Sequence, residues 1–299
     1  MSNAIKIHNL TFRYRREIDP VISDLNCEIP CGQIVAITGK SGIGKSTLLR
    51  LMAGVYRKSD TWSGQYYTGE ISILGREPQQ IRGPEQVSLM TQGTFLMNHL
   101  TVKENILLPC SLISEPTINE KFNYDTLIEY LGLSKHQNNR PMELSGGMKT
   151  RVAFARAMIS CPKHLYLDEP FISLDISRRW VMYRIVRMMR LNSNYTTILT
   201  THDLWEALIL ANWIVVLDNK NGKSVVTSYE NTLPDIDNCS ITECLRIIQP
   251  NMEKIAQVLE NDATPEWGNG ITPLTFDQPR KKEKINNMPR SNRHGFKDH

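Results

Sequence analysis

The chain has 299 residues, enough for one large domain or two modest ones with a sizeable core. Apolar residues make up 40% and charged residues 22%, which excludes collagen-like and wholly disordered classes. Thirty-five basic against 31 acidic residues leave a net charge of +4. Residues 277–299 hold that excess, with seven basic side chains against three acidic ones, so the body is balanced and not built to neutralise the phosphates of a nucleic acid.

In chain order, residues 1–16 lack an apolar run of signal-peptide length. Short β-branched runs bounded by Gly or Pro at 4–7, 25–29, 34–38 and 69–74 predict strands. A helix over 47–53 follows the third, and the polar, aromatic segment 57–67 reads as a long surface loop. From 100 to 157 the periodicity turns helical, with Leu127, Ile128, Leu131 and Leu133 around a break at Gly132. Strands are predicted again at 165–167, 197–201 and 214–217, separated by helices. Such alternation predicts an α/β domain with a mostly parallel sheet and a helical insertion. After Gly222 a capping-box pattern at 240–243 opens a short helix, a second is expected over 252–259, and beyond Asp262 the composition predicts little order.

The most apolar stretch, 207–217, is broken by Asn212 and is far shorter than the ~20 residues that cross a bilayer. Any membrane role is therefore expected to be peripheral. Six cysteines show no CxxC pair, so we expect reduced thiols that mostly fill the core.

Gly39-Lys40-Ser41-Gly42-Ile43-Gly44-Lys45-Ser46-Thr47 fits the G-x-x-x-x-G-K-[ST] pattern between a predicted strand and a predicted helix. Glycines let backbone N–H groups converge on phosphate oxygens, Lys45 can reach between β- and γ-phosphates, and Ser46 can ligate Mg²⁺. Asp168 and Glu169 end the apolar strand at 165–167, where a parallel sheet places its ligands. Asp168 suits the Mg²⁺ shell, and Glu169 suits polarisation of a water.

Between these two motifs lies Leu144-Ser145-Gly146-Gly147-Met148, with Ser145 placed 23 residues before Asp168. This segment resembles the signature of ATP-binding cassette (ABC) proteins. Gln92 matches the family's Q-loop, Ser173-Leu174-Asp175 its D-loop and Thr201-His202-Asp203 its switch histidine, all in the family's order over about residues 5–218. The segments 143–148, 167–171 and 201–208 are similar to the ATPase subunits of bacterial importers for nitrate, sulfonate, taurine and related anions. Asn98-His99, Lys149-Thr150 and the 57–67 loop depart from that branch.

The resemblance implies a P-loop nucleotide-binding domain over 1–230, with an antiparallel β part near the N-terminus and a helical signature subdomain at about 93–157. A helical extension at 231–262 and a basic tail at 263–299 follow it. It implies ATP and Mg²⁺ as cofactors, with Ser46, Gln92 and Asp168 at the metal. Glu169 is then the general base, and Gln92 and His202 sense the γ-phosphate. Tyr14 stands where the family places an adenine-stacking aromatic. Ser145, whose helix is expected to begin near Met148, acts with Gly146, Gly147 and Asp175 across a head-to-tail dimer that sandwiches two ATP molecules. The implied partners are integral-membrane permease subunits and a second copy or homologue, at the cytoplasmic face of the membrane, with no nucleic acid. An exporter or lipid-transport role and a nucleic-acid or ribosome role are the alternatives. The single cassette without zinc spacing or long heptads speaks against the last.

Overall fold

The computed structural model describes residues 4–15, 19–58, 66–113, 123–190 and 195–231, with residues 243, 244, 246 and 248 in a helical stretch. Most of the expected 57–67 loop, the expected helix at 252–259 and the basic tail lie outside the described residues. Two sheets carry the fold. β1 (Ala4–Arg13), β2 (Ile22–Pro30) and β4 (Tyr66–Ile73) form an antiparallel sheet in the order β2-β1-β4. β1 turns Ile5, Ile7, Leu10 and Phe12 inward, and a register shift between Ile7 and Leu10 coincides with the left-handed backbone of Asn9.

The second sheet joins β3 (Ile34–Thr38), β5 (Val87–Met90), β6 (His164–Asp168), β7 (Thr196–Thr200), β8 (Trp213–Lys220) and β9 (Lys223–Glu230) in the order β5-β6-β7-β3-β8-β9. All pairings are parallel except β8 with β9. β3, β6 and β7 are buried along their whole length, as parallel strands covered on both faces must be. Successive side chains of these strands point to opposite sides. Val35, Ile37, Tyr166 and Ile198 face the core shared with the antiparallel sheet and α1 (Lys45–Met52). Ile34, Ala36, Leu165, Leu167 and Leu199 face a second core built with the helices.

Those helices are α2 (Val102–Leu107), α3 (Tyr124–Tyr130), α4 (Gly146–Met158), α5 (Ile176–Arg190) and α6 (Leu204–Leu210). Thr101 and Glu104 form a reciprocal capping box on α2, and Asn123 caps α3. α3 stops just before the Gly132 break. The α/β class and the antiparallel N-terminal part are as expected. Two strands escaped sequence reading. β5 is short and mostly half-buried, and β9 returns from β8 through Asn221-Gly222, both at positive φ, a two-residue turn matched to strand twist. Among the described cysteines, all outside disulfides, Cys27 and Cys244 are buried while Cys31, Cys110 and Cys161 are half-buried. Core filling therefore holds for two of them. Burial pushes the Cys27 thiol up to about 12.

Candidate functional site

The strand order assembles the site. β5, β6, β7 and β3 are consecutive neighbours, and the segments leaving their carboxyl ends carry, in turn, Gln92, Asp168-Glu169, Thr200-Thr201-His202 and the 39–47 loop. Side chains far apart in sequence thus share one edge of a parallel sheet.

The loop is fixed by its backbone. Gly39 has φ 145°, and a Cβ there would lie 2.3 Å from the Leu217 carbonyl oxygen, so only glycine lets β3 pass this close to β8. Gly44 provides no side-chain cap to α1, so the first turn presents main-chain amides to an anion. The Lys45 ammonium donates to the carbonyls of Gly39 at 2.9 Å and Lys40 at 3.0 Å. Burial pulls its pKa below the usual lysine range, while Glu169 and Asp168 favour the charged form. Lys40, Ser41 and Gly42 are exposed at the loop's crest, Ile43 is half-buried, and Thr47 is buried in α1.

Asp168 is fully buried and its carboxylate is saturated by donors. Ser46 Oγ donates to Oδ1 at 2.6 Å, Thr200 Oγ1 donates to the same oxygen at 2.8 Å, and Arg50 lies 3.4 Å from Oδ2. The motifs did not reveal Thr200 or Arg50. Arg50 sits four residues after Ser46, on the same face of α1, and that spacing was its only signal. The neighbouring Glu169 has φ 47°, a left-handed conformation disfavoured for a residue with a Cβ. Its N–H donates to the Thr200 carbonyl at 3.2 Å and to Thr200 Oγ1 at 3.1 Å. One Glu169 oxygen, Oε2, accepts from Gln92 Nε2 at 3.3 Å and lies 3.7 Å from His202 Nδ1. Gln92 and His202 are otherwise exposed, so this carboxylate sits at the rim and Asp168 beneath it.

Among the described residues no group of three His, Cys, Asp or Glu side chains could hold a metal ion. The hydroxyl of Ser46 and the carboxylate of Asp168 nevertheless form a hard-oxygen pair beside the loop. That donor set suits Mg²⁺, which takes one or two protein oxygens and completes its shell with phosphate and water. Gln92, also expected at the metal, donates through Nε2 to Glu169, which engages its amide nitrogen and not the oxygen that would ligate a cation. Tyr14 is half-buried with its hydroxyl 2.8 Å from Thr47 Oγ1. Its ring meets Phe12 edge-on at 5.0 Å and Tyr56 at 6.3 Å. Phe12 is fully buried, whereas Tyr14 keeps partial exposure beside the loop.

The signature segment has different surroundings. Ser145 and Gly146 are exposed, and Ser145 Oγ accepts from Met148 N at 3.3 Å as the cap of α4. The helix starts at Gly146, two residues before the expected point. Gly147 packs on the turn ahead of α5, where a Cβ would lie 3.3 Å from the Ser173 carbonyl oxygen. Thr150 Oγ1 meets Ser173 Oγ at 2.7 Å. Asp175 is exposed and accepts from Arg178 N at 3.0 Å at the start of α5.

A family model described as "ABC transporter" matches residues 22–172. The aliphatic sulfonates import ATP-binding protein SsuB of Bacillus licheniformis is 38% identical over 224 residues, covering 75% of this chain and 82% of that protein. The sulfate/thiosulfate import ATP-binding protein CysA of Mycobacterium bovis is 36% identical over 221 residues, covering 73% of this chain but 59% of the relative. Among solved structures, the dimeric ATP-binding cassette MJ0796 bound to ADP and Pi superposes with a TM-score of 0.61 over 73% of this chain and 95% of that one, at 24% identity. That last likeness concerns the fold. No helix among the described residues is long and apolar enough to cross a membrane. Matched across half its length by the family model and across three quarters by a relative of 38% identity, the chain belongs to the ABC transporter family as an ATP-binding subunit.

Proposed function

We propose that the chain hydrolyses MgATP as one half of a head-to-tail pair and powers import of a small solute through separate membrane-spanning subunits. The convergence of Gln92 and His202 on one Glu169 carboxylate oxygen, beside the Ser46–Asp168 pair, carries this reading. The main-chain amides of the 39–47 loop and Lys45 hold the phosphates, and Tyr14 lies against the base. Ser46 and Asp168 hold Mg²⁺, which when bound neutralises charge on the phosphate oxygens. Glu169 takes the proton of the attacking water, and Gln92 and His202 orient that carboxylate and report the γ-phosphate through it. Exposed Ser145 and Gly146, with Gly147 and Asp175, close over the nucleotide of the second subunit. The two import relatives named above support a solute importer and make small sulfur oxyanions the first solutes to test.

Exposed apolar side chains on the helical insertion support it as the surface for the membrane partner. Phe95 is 73% exposed at φ 38°, and Met97 and Leu112 are exposed on the same insertion. Beside them a cleft of about 210 Å³ is lined by Thr91, Gly93, Thr94, Pro109 and Arg156. Arg156 donates to the Thr94 carbonyl at 3.1 Å and to that of Phe95 at 3.0 Å, tying this rim to α4. The exposed Phe95, Met97 and Leu112 suit an apolar cytoplasmic segment of the permease.

The experiment is Glu169→Gln in the full-length chain. Nucleotide binding is retained and turnover falls by about 10²–10⁴-fold, the usual worth of a general base. A wild-type rate would remove Glu169 from the chemistry.

A further inference from the structure

A buried carboxylate outside the nucleotide site joins two of the segments that border it. Glu206, in the first turn of α6, is 5% exposed. Its Oε2 accepts from Thr201 Oγ1 at 2.6 Å, and Thr201 directly precedes His202. Its Oε1 accepts from Tyr183 OH at 3.2 Å and lies 3.4 Å from Arg179 Nη1. Arg179 reaches the other way as well. Its Nε donates to the Leu174 carbonyl at 2.9 Å, its backbone N–H donates to the Asp175 carbonyl at 2.9 Å, and its Nη1 lies 3.5 Å from Asp203 Oδ2. The Ser173–Asp175 turn it grips is the one that Thr150 and Gly147 of the signature helix contact. An unbroken path therefore runs from α4, through the turn before α5, to Arg179, Glu206, Thr201 and His202.

We propose that Glu206 is a positioning residue for hydrolysis, which keeps His202 in register with the Ser173–Asp175 turn through Arg179 and Thr201. This rests on the ATPase reading above, because His202 and the turn matter only if they face nucleotide. Burial pushes the Glu206 carboxyl above its usual range, while the Thr201 hydroxyl and Arg179 oppose that shift. A carboxylate that lost these partners would stand buried and uncompensated. Glutamine keeps the volume of Glu206 and an oxygen for Thr201 but drops the charge that holds Arg179. The turn is then tied to the His202 segment only through the longer Arg179–Asp203 pair, and a misplacement of about 1 Å near a reacting centre costs up to ~100-fold in rate.

The test compares wild type with Glu206→Gln in the full-length chain, measuring MgATP turnover, KM and the thermal midpoint. The expected result is kcat lower by about 10- to 100-fold with KM within about threefold, since phosphate-binding groups are untouched. A kcat within about twofold of wild type with a lowered midpoint would make Glu206 a structural residue only and overturn the proposal. If Glu206→Gln does not fold, Thr201→Val and Thr201→Ser decide. Serine keeps both the donor to Glu206 and the acceptor for the Asp203 N–H, through which Glu206 holds the His202 segment, so it exceeds valine by about tenfold in kcat; equal rates in the two variants overturn the proposal. Wild-type chain without MgATP turnover would defeat the ATPase reading itself, separately from the role of Glu206.

Discussion

The edge of the parallel sheet and the start of α4 contribute to the same proposed chemistry under opposite conditions. At the sheet edge, four strands bring Lys45, Ser46, Asp168, Glu169, Gln92 and His202 to one edge within one chain, and Asp168 is already held by three donors. At the start of α4, Ser145 and Gly146 stand exposed, and among the described residues the Ser145 hydroxyl serves as the cap of its own helix. Half of the site is organised by folding. On the proposed reading the other half is a surface that gains a ligand only when a second subunit presents one, which would make assembly and chemistry a single event. The packing of Gly147 and Thr150 on the Ser173–Asp175 turn ties that surface back to the sheet edge.

The sharpest way to break this contrast is Ser145→Arg in a Glu169→Gln background. With Glu169→Gln alone, unhydrolysed MgATP holds two chains together by mass action on the closed state, and light scattering reads a nucleotide-dependent dimer. Adding Ser145→Arg puts a bulky charge on the closing surface and abolishes that dimer while each chain still binds nucleotide through its own loop. A dimer that survives would mean the α4 start lies outside the interface.

A milder test changes the same surface without obstructing it. Met148 is half-buried and packs partly against the helical core, so its side chain is committed to its own subunit. Met148→Gln therefore changes turnover by less than about tenfold, or 1.4 kcal/mol. A drop of several orders of magnitude would show that position 148 reaches the second nucleotide.

The smallest effect is expected away from both halves, where β2 meets the β8–β9 turn. Lys223 Nζ lies 2.7 Å from Asp24 Oδ2, with both side chains largely open to water. The Lys223 ammonium lowers the Asp24 pKa, first by its hydrogen bond and then by its charge. The stabilisation is thus present above the ordinary carboxylate range and is lost as pH falls through the lowered value. Screening leaves such a pair little to contribute. Asp24→Asn, which the left-handed backbone at this position tolerates, shows a melting midpoint only slightly below wild type at neutral pH in physiological salt, and that small difference vanishes in acid. A clear loss at neutral pH would mean that the contact between the sheets depends on this pair.

The phosphate loop and the Asp168-Glu169 strand end were legible in the sequence because backbone geometry and charge dictate residue type at fixed spacing. Gly39 cannot carry a Cβ at its φ, and a buried strand ending in two carboxylates leaves few structural uses. Strand β9 was legible in principle, since Asn221-Gly222 between two eight-residue strands is a strong hairpin signal. β5 was not, because its four residues show no alternation of burial. Thr200, Arg179 and Glu206 stayed hidden for another reason. Their partners lie 32, 27 and up to 27 residues away, and only the strand order places those partners side by side.

The φ of 47° at Glu169 has a consequence for evolution and engineering alike. The backbone alone would choose glycine there, and a selection for heat resistance would find Glu169→Gly attractive, since it relieves strain on the order of 1 kcal/mol. The same change deletes the carboxylate that Gln92 and His202 approach. If Glu169 is the base proposed above, hardening this turn and keeping a working ATPase are opposed demands on one residue. Stabilised variants of this chain should be sought among positions remote from the carboxyl ends of β5, β6, β7 and β3.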